Sequence, residues 1–237
     1  MTRLRHGHER LIVALDFTTL SPALAMARRL RGLVRTLKIG SALFTACGPE
    51  VITRVRGLGF DVMLDLKFLD IPSTVALSCR AAVGHRVSLL TVHASGEPAM
   101  LAAAVAAVHD EATRRRVARP KVLAVTVLTS VAPGAGGVGG RALNLASRAV
   151  RAGCDGVVAS AQEAPSLQRR FGRRLAIVCP GIRPFSAGRG DQRRVATPAD
   201  ALRAGATALV VGRPITGAAS PRRAAQAILH EMETLQA

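Results

Sequence analysis

DLKFLDIPST, residues 65–74, reads as the end of a strand turning into a helix. The run it completes, DVMLDLKF from Asp61, has the apolar content of a buried strand. Ile71-Pro72 then restricts the path of the chain. Proline disfavours helical backbone in the residue before it, yet is tolerated in the first turn of a helix. IPSTVALSCRAAVG continues with helical spacing. A strand that ends on charge and passes at once into a helix is one βα unit, with its charges at the C-terminal end of the strand. Asp65 and Lys67 are two residues apart, so in an extended strand both point to the same side. If that side faces an enclosed mouth, the Lys67 ammonium needs carboxylate partners. Lys38, on the preceding strand, extends the set into a network of alternating charge.

The same unit recurs on either side. Strand candidates begin at Leu11 (LIVALDF), Thr36 (TLKIG), Asp61, Leu89 (LLTVHASG), Lys121 (KVLAVTVLTS), Gly156 (GVVAS), Leu175 (LAIVCPGIR) and Ala208 (ALVVGRP). Between them lie SPALAMARRLRGLV, PEVITRVRGLG, EPAMLAAAVAAVHDEATRRR, RALNLASRAVRAG, APSLQRRFG and TPADALRAG, and PRRAAQAILHEMETL closes the chain. Ser21-Pro22, Thr197-Pro198 and Ser220-Pro221 fit an N-cap followed by proline at the first helical position. Gly57, Gly153, Gly172 and Gly205 fit helix ends. Eight βα units predict a closed (β/α)8 TIM barrel, an α/β fold, as a single domain over residues 1–237. Residues 1–10 are a candidate flexible arm. PGAGGVGG, from Pro133, is expected as a flexible loop after the fifth strand. It lacks the lysine of a Walker motif and the spacing of a dinucleotide fingerprint.

Lysine and arginine number 33 against 15 acidic residues, a formal net charge of +18. Such an excess invites a nucleic-acid reading. The arginines are scattered over most helices, however, and aromatics make up only 3%, so stacking platforms for bases are scarce. Specific nucleic-acid binding is therefore not expected, although the positive field would attract phosphorylated substrates. No apolar run of about 18 residues is present to span a membrane. No signal peptide is read at the N-terminus. Cys47, Cys79, Cys154 and Cys179 are far apart and read as reduced thiols in a cytoplasmic protein. The histidines show no metal-ligand spacing, and no metal site is expected.

In such a barrel the chemistry gathers at the C-terminal ends of the strands. Polar residues recur there: Asp16, Lys38, Asp65, Lys67, Asp70, His93, Thr129, Ser130, Ser160, Arg183 and Arg213. At this point DLKFLDIPST resembles the signature of orotidine 5'-phosphate decarboxylases. ALDF at Asp16, LKIG at Lys38, TVHASG at His93, VTVLTS at Thr129, CPGIRP at Arg183, GDQRR at Gln192 and VVGRPIT at Arg213 agree in order. The similarity runs from about Leu11 to Pro221.

The resemblance implies a role for each matching position. Asp16 and Lys38 hold ribose hydroxyls. Asp65 faces the substrate carboxylate, and Lys67 delivers the proton. Asp70 and Thr74 reach into the site of a partner subunit in a homodimer, and Ile71 between them binds substrate. Thr129 and Ser130 border the pyrimidine, and Pro180 lies at the substrate. Arg183, Gln192, Gly212 and Arg213 bind the phosphate. PFSAGRGD, between Arg183 and Gln192, has the composition of a mobile lid. Leu69 stands where the family often has histidine. It lies between functional residues, so activity is expected to survive.

The implied reaction is decarboxylation of orotidine 5'-monophosphate to uridine 5'-monophosphate, the last step of de novo pyrimidine synthesis. No pyridoxal or thiamine motif is visible, so cofactor-free electrostatic catalysis is expected. Two rivals remain. A sugar-phosphate decarboxylase or hexulose-phosphate synthase of the same barrel shares the DxKxxD spacing but would need a divalent metal. CPGIRP, GDQRR and VVGRPIT favour the nucleotide enzyme. A catalytically dead RNA- or nucleotide-binding barrel is disfavoured because no carried-over polar position is missing.

Overall fold

The computed structural model describes residues 7–131, 137–184 and 195–234. The chain alternates throughout, beginning with α1 (Gly7–Arg10), β1 (Leu11–Ala14), α2 (Leu20–Leu30) and β2 (Thr36–Gly40). Two short helices follow, α3 (Ser41–Cys47) and α4 (Glu50–Gly57). The middle of the chain holds β3 (Asp61–Phe68), α5 (Pro72–Gly84), β4 (Leu89–His93), α6 (Pro98–Arg115) and β5 (Lys121–Val125). Then come α7 (Val138–Arg151), β6 (Gly156–Val158), α8 (Ala164–Phe171) and β7 (Ala176–Cys179). The last part is α9 (Pro198–Arg203), β8 (Ala208–Val211), α10 (Arg213–Thr216) and α11 (Pro221–Glu233). The strands form a closed barrel in sequence order, all neighbours parallel, and β1 pairs with β8 through Leu11 and Leu209 to shut it. The expected (β/α)8 barrel is the fold found.

The apolar strands divide their side chains by the two-residue period of a pleated sheet. Leu11 and Val13 of β1, Val62 and Leu64 of β3 and Leu209 and Val211 of β8 face the helices and join the main core. Ile12, Ala14, Met63, Leu123, Val125, Val158, Val178 and Val210 fill the barrel interior as a second cluster. This is why the strands read as continuous apolar runs: both faces are covered.

The capping signals are partly realised. Thr197 caps α9, its Oγ1 accepting the Asp200 N–H at 3.1 Å. Helix α2 begins one residue before Ser21, with Thr19 at the cap position. Gly153, Gly172 and Gly205 all have the positive φ that ends a helix without a Cβ penalty. After α4 that role falls to Gly59, at φ +90°, while Gly57 remains the last helical residue. Helix α7 starts earlier than predicted, on Val138-Gly139-Gly140, so part of the Gly-rich loop is helical. Gly137 caps that helix at φ +70°, and residues 133–136 of the loop and most of PFSAGRGD lie outside the described residues. Of residues 1–10, positions 7–10 form the single turn α1, with Gly7 against Glu233 and Leu229. Burial pushes the thiols of Cys79, Cys154 and Cys179 up to about 12, and Cys47 is half-buried.

Candidate active site

The pleat that fills the barrel interior also builds its mouth. Going up β2 the inward positions are Thr36, Lys38 and Gly40. On β3 they run from Met63 to Asp65, and on β4 from Leu89 through Thr91 to His93. The apolar layer thus gives way to charge at the C-terminal ends. Lys38 Nζ lies 3.2 Å from Asp16 Oδ1 and 3.4 Å from Asp65 Oδ2. Lys67 Nζ lies 3.0 Å from Asp65 Oδ1. The order Asp16, Lys38, Asp65, Lys67 alternates in sign, and each buried charge has an opposite neighbour. A Cβ at Gly40 would stand 3.1 Å from Lys38 Nζ, so glycine leaves the ammonium its place between two carboxylates. Burial by itself would raise the Asp65 carboxyl. The Lys38 and Lys67 charges, a Lys67 hydrogen bond and the Thr91 hydroxyl outweigh it, and Asp65 lies below its ordinary value.

Lys67 reaches this position by a route that simple alternation does not describe. Its φ is +52°, in the left-handed region that a non-glycine residue occupies at a cost of about 1–2 kcal/mol. Partners on either side are Leu64 with Leu90 and Phe68 with Val92, so β3 advances four residues while β4 advances two. The strand bulges there, and bulges re-aim side chains. Lys67 N–H donates to Thr91 Oγ1 at 2.9 Å. The Lys67 side chain is 38% exposed against 10% for Asp65, which sets the ammonium on the open side of the network.

These groups line a cavity of about 400 Å³ at the barrel mouth. Asp16, Lys38, Asp65, Lys67, Thr129, Pro180, Arg183, Gly212 and Arg213 all border it. The apolar floor is Ala14, Met63, Val125, Val158 and Val210, with Ile182 on the wall. The sequence reading did not pick out these apolar positions, although the inward half of each strand's alternation would have found most of them. Burial, and then the nearby Arg213 charge, lower the Arg183 guanidinium below its ordinary value. Two like charges at one wall suit an anion, and the loops after β7 and β8 are the usual phosphate region of this fold.

Other predicted residues fall elsewhere. Asp70, Ile71 and Thr74 are exposed and do not border the cavity of their own chain, and Ile71 N–H donates to Asp70 Oδ1 at 2.6 Å. Leu69, Ile71 and Leu77, close in sequence, are exposed apolar side chains. Ser130 is exposed and off the cavity wall. Gln192 lies outside the described residues. Ser160 is buried and closes a turn, its N–H donating to Glu163 Oε2 at 2.9 Å. His93 Nδ1 lies 2.7 Å from Ser95 Oγ, and burial, Lys67 and Arg141 together lower its pKa. Thr91 was not singled out in the sequence, because a threonine inside a strand carries no local signal of function.

Residues 9–228 match the family described as "Orotidine 5'-phosphate decarboxylase / HUMPS family". The orotidine 5'-phosphate decarboxylase of Halorhodospira halophila is 46% identical over 233 residues, covering 95% of this chain and 97% of that protein. The enzyme of the same name from Moorella thermoacetica is 44% identical, covering 98% and 95%. Among solved structures, orotidine 5'-phosphate decarboxylase from Lactobacillus acidophilus superposes with a TM-score of 0.82 at 34% identity, covering 94% of this chain and 99% of that one.

Proposed function

The chain belongs to the orotidine 5'-phosphate decarboxylase / HUMPS family, and from that premise we propose that its cavity converts orotidine 5'-monophosphate to uridine 5'-monophosphate and CO2 in pyrimidine biosynthesis. The observation that carries this reading is the alternating Asp16, Lys38, Asp65 and Lys67 network facing the two arginines across one cavity. The phosphate is held by Arg183, Arg213 and the Gly212 backbone, joined by Gln192. The ribose hydroxyls meet Asp16 and Lys38. Thr129, Ser130 and Pro180 border the ring.

Asp65 stays ionised because its neighbours hold its pKa down. A fixed negative charge beside the substrate carboxylate disfavours the bound ground state. As the bond from ring carbon to carboxylate breaks, CO2 leaves and the electron pair stays on the carbon. The Lys67 ammonium stabilises that pair and then gives it a proton, and the lysine recovers its own proton from solvent. Charges already in place in a partly dry site need no reorganisation as the reaction proceeds. Phosphate contacts remote from the reacting carbon hold the ring in position.

Asp70, Ile71 and Thr74 complete the site of a second copy, which makes the working unit a homodimer. Their exposure and the exposed apolar side chains of Leu69, Ile71 and Leu77 support this reading. The four free thiols, three of them buried, suit the reducing cytoplasm. The test is spectrophotometric turnover of orotidine 5'-monophosphate in the presence of EDTA. Turnover that survives the chelator is expected. Absence of turnover, or a strict metal requirement, points instead to the enediolate chemistry of the sugar-phosphate branch.

A further inference from the structure

We propose that Thr91 is a positioning residue whose single hydroxyl locks both the Asp65 carboxylate and the backbone of Lys67 in their working geometry. The inference rests on the reading of Lys67 as proton donor and Asp65 as its charged neighbour. Thr91 sits on the inward side of β4 and is completely buried. Its O–H donates to Asp65 Oδ1 at 3.0 Å, and its oxygen accepts the Lys67 N–H at 2.9 Å. A hydroxyl has one donor and two acceptor sites, so one group serves both ends of the charge network without competition.

Each bond answers a particular need. At the bulge the strand ladder between β3 and β4 is interrupted, and the Lys67 amide takes the Thr91 hydroxyl as its partner. Strained backbone persists only where its surroundings hold it, and this bond acts on the residue at φ +52°. On the other side, Asp65 Oδ1 takes its two donors, the Lys67 ammonium and the Thr91 hydroxyl, at equal distances of 3.0 Å. That leaves Oδ2 turned toward Lys38 at 3.4 Å. The hydroxyl therefore fixes the carboxylate's rotation, and the carboxylate and the backbone together fix where the Lys67 Nζ stands. Thr91 itself does not line the cavity, so its hydroxyl acts through Asp65 and Lys67 and not on the substrate directly.

The groups around Asp65 also set how its charge responds to pH. It is faced by Lys38 from β2, Lys67 from β3 and the Thr91 hydroxyl from β4. Asp16, two residues past β1, sits behind Lys38, and His93 feels the charges of Lys67 and Arg141. Lys38, Lys67 and the Thr91 hydroxyl each favour the charged form of the carboxylate. Removing the hydroxyl must raise Asp65, so the acid side of the rate profile, where this carboxylate takes up a proton, must move to higher pH.

The experiment compares Thr91→Val, which keeps the shape and deletes the hydroxyl, with Thr91→Ser, which keeps it. Valine should lower kcat by about 10- to 100-fold while leaving KM within about threefold, and should shift the acid limb of kcat upward. Serine should restore both toward wild type. Valine with the wild-type kcat and pH profile overturns the proposal. Equal losses in both variants overturn it too, since they would assign the effect to the lost methyl. If Thr91→Val does not give a folded protein by circular dichroism, Thr91→Cys, a weak donor of similar size, takes its place with the same two criteria. Failure of the wild-type chain to turn over orotidine 5'-monophosphate would be a failure of the proposed function, seen before any Thr91 variant is made.

Discussion

Lys67→Ala tests the proposed role of Lys67 as proton donor. Two effects are lost together. An ammonium about 4 Å from a developing negative charge contributes roughly 4 kcal/mol at an effective dielectric of about 20, equivalent to nearly three powers of ten in rate. Proton transfer by a placed acid contributes about 10²- to 10⁴-fold more. Lys38 cannot replace it, because its ammonium is already held between Asp16 and Asp65 and is almost fully buried. The expected loss in kcat is therefore at least about 10⁵-fold. The fold should survive. Asp65 keeps Lys38 at 3.4 Å and the Thr91 hydroxyl at 3.0 Å, so its buried charge is not abandoned. The lost Lys67 pair is more than a third exposed and screened by solvent, which limits its part in stability to about 1 kcal/mol. Position 67 also carries a φ of +52°. Lys67→Gly relieves that strain and should be more stable than Lys67→Ala by about 1 kcal/mol, with the same lack of activity. Turnover is read from the absorbance change of the pyrimidine ring, and stability from denaturant midpoints. Residual activity of Lys67→Ala within tenfold of wild type would refute the proton-donor role. An alanine variant at least as stable as the glycine variant would refute the strain at this residue.

Arg213→Ala should lower kcat/KM for orotidine 5'-monophosphate by several kcal/mol at most while hardly changing turnover of orotidine, which lacks the phosphate; equal losses with both substrates would remove Arg213 from the phosphate site. Lys67→Ala and Asp70→Ala subunits, each inactive alone, should regain roughly a quarter of wild-type activity when allowed to re-pair, because half the dimers are mixed and each mixed dimer holds one site free of both lesions. If exchange is demonstrated and no activity returns, Asp70 serves its own subunit. Glu111 is held at about 2 by hydrogen bonds and charge from Arg114 and Arg115. A depressed carboxylate stabilises the fold fully above its unfolded value and loses that contribution as pH falls from about 4.5 to about 2. Glu111→Gln should flatten stability across that window, and unchanged acid midpoints would count against the ion cluster.

Local patterns determined much of this protein. Apolar runs interrupted by helical spacing placed all eight strands, because the two periods are properties of short segments and do not depend on what those segments pack against. The same segments carry their polar residues at the C-terminal ends, so Asp16, Lys38, Asp65, Lys67, Thr129, Arg183 and Arg213 were legible in the sequence, and the structure gathers them around one cavity. Short helices were harder to see. α3 and α10 are too brief to show a period and are held by the strands they follow.

What closing the barrel decided is of another kind. Alternation put Lys67 and Asp65 on one side of a strand, and they do meet, but through a bulge and a left-handed backbone. Register between β3 and β4 is a long-range property, set by how eight strands close around a packed interior. Thr91 shows the consequence most sharply. In sequence it is one strand threonine among several, 24 residues from the lysine and 26 from the aspartate it bonds. Only the pairing of adjacent strands brings its hydroxyl to both. Asp70, Ile71 and Thr74 do not border the cavity of their own chain. A hydrogen bond needs its partners within about 3 Å, a distance that sequence spacing governs within an element and tertiary structure alone governs between elements.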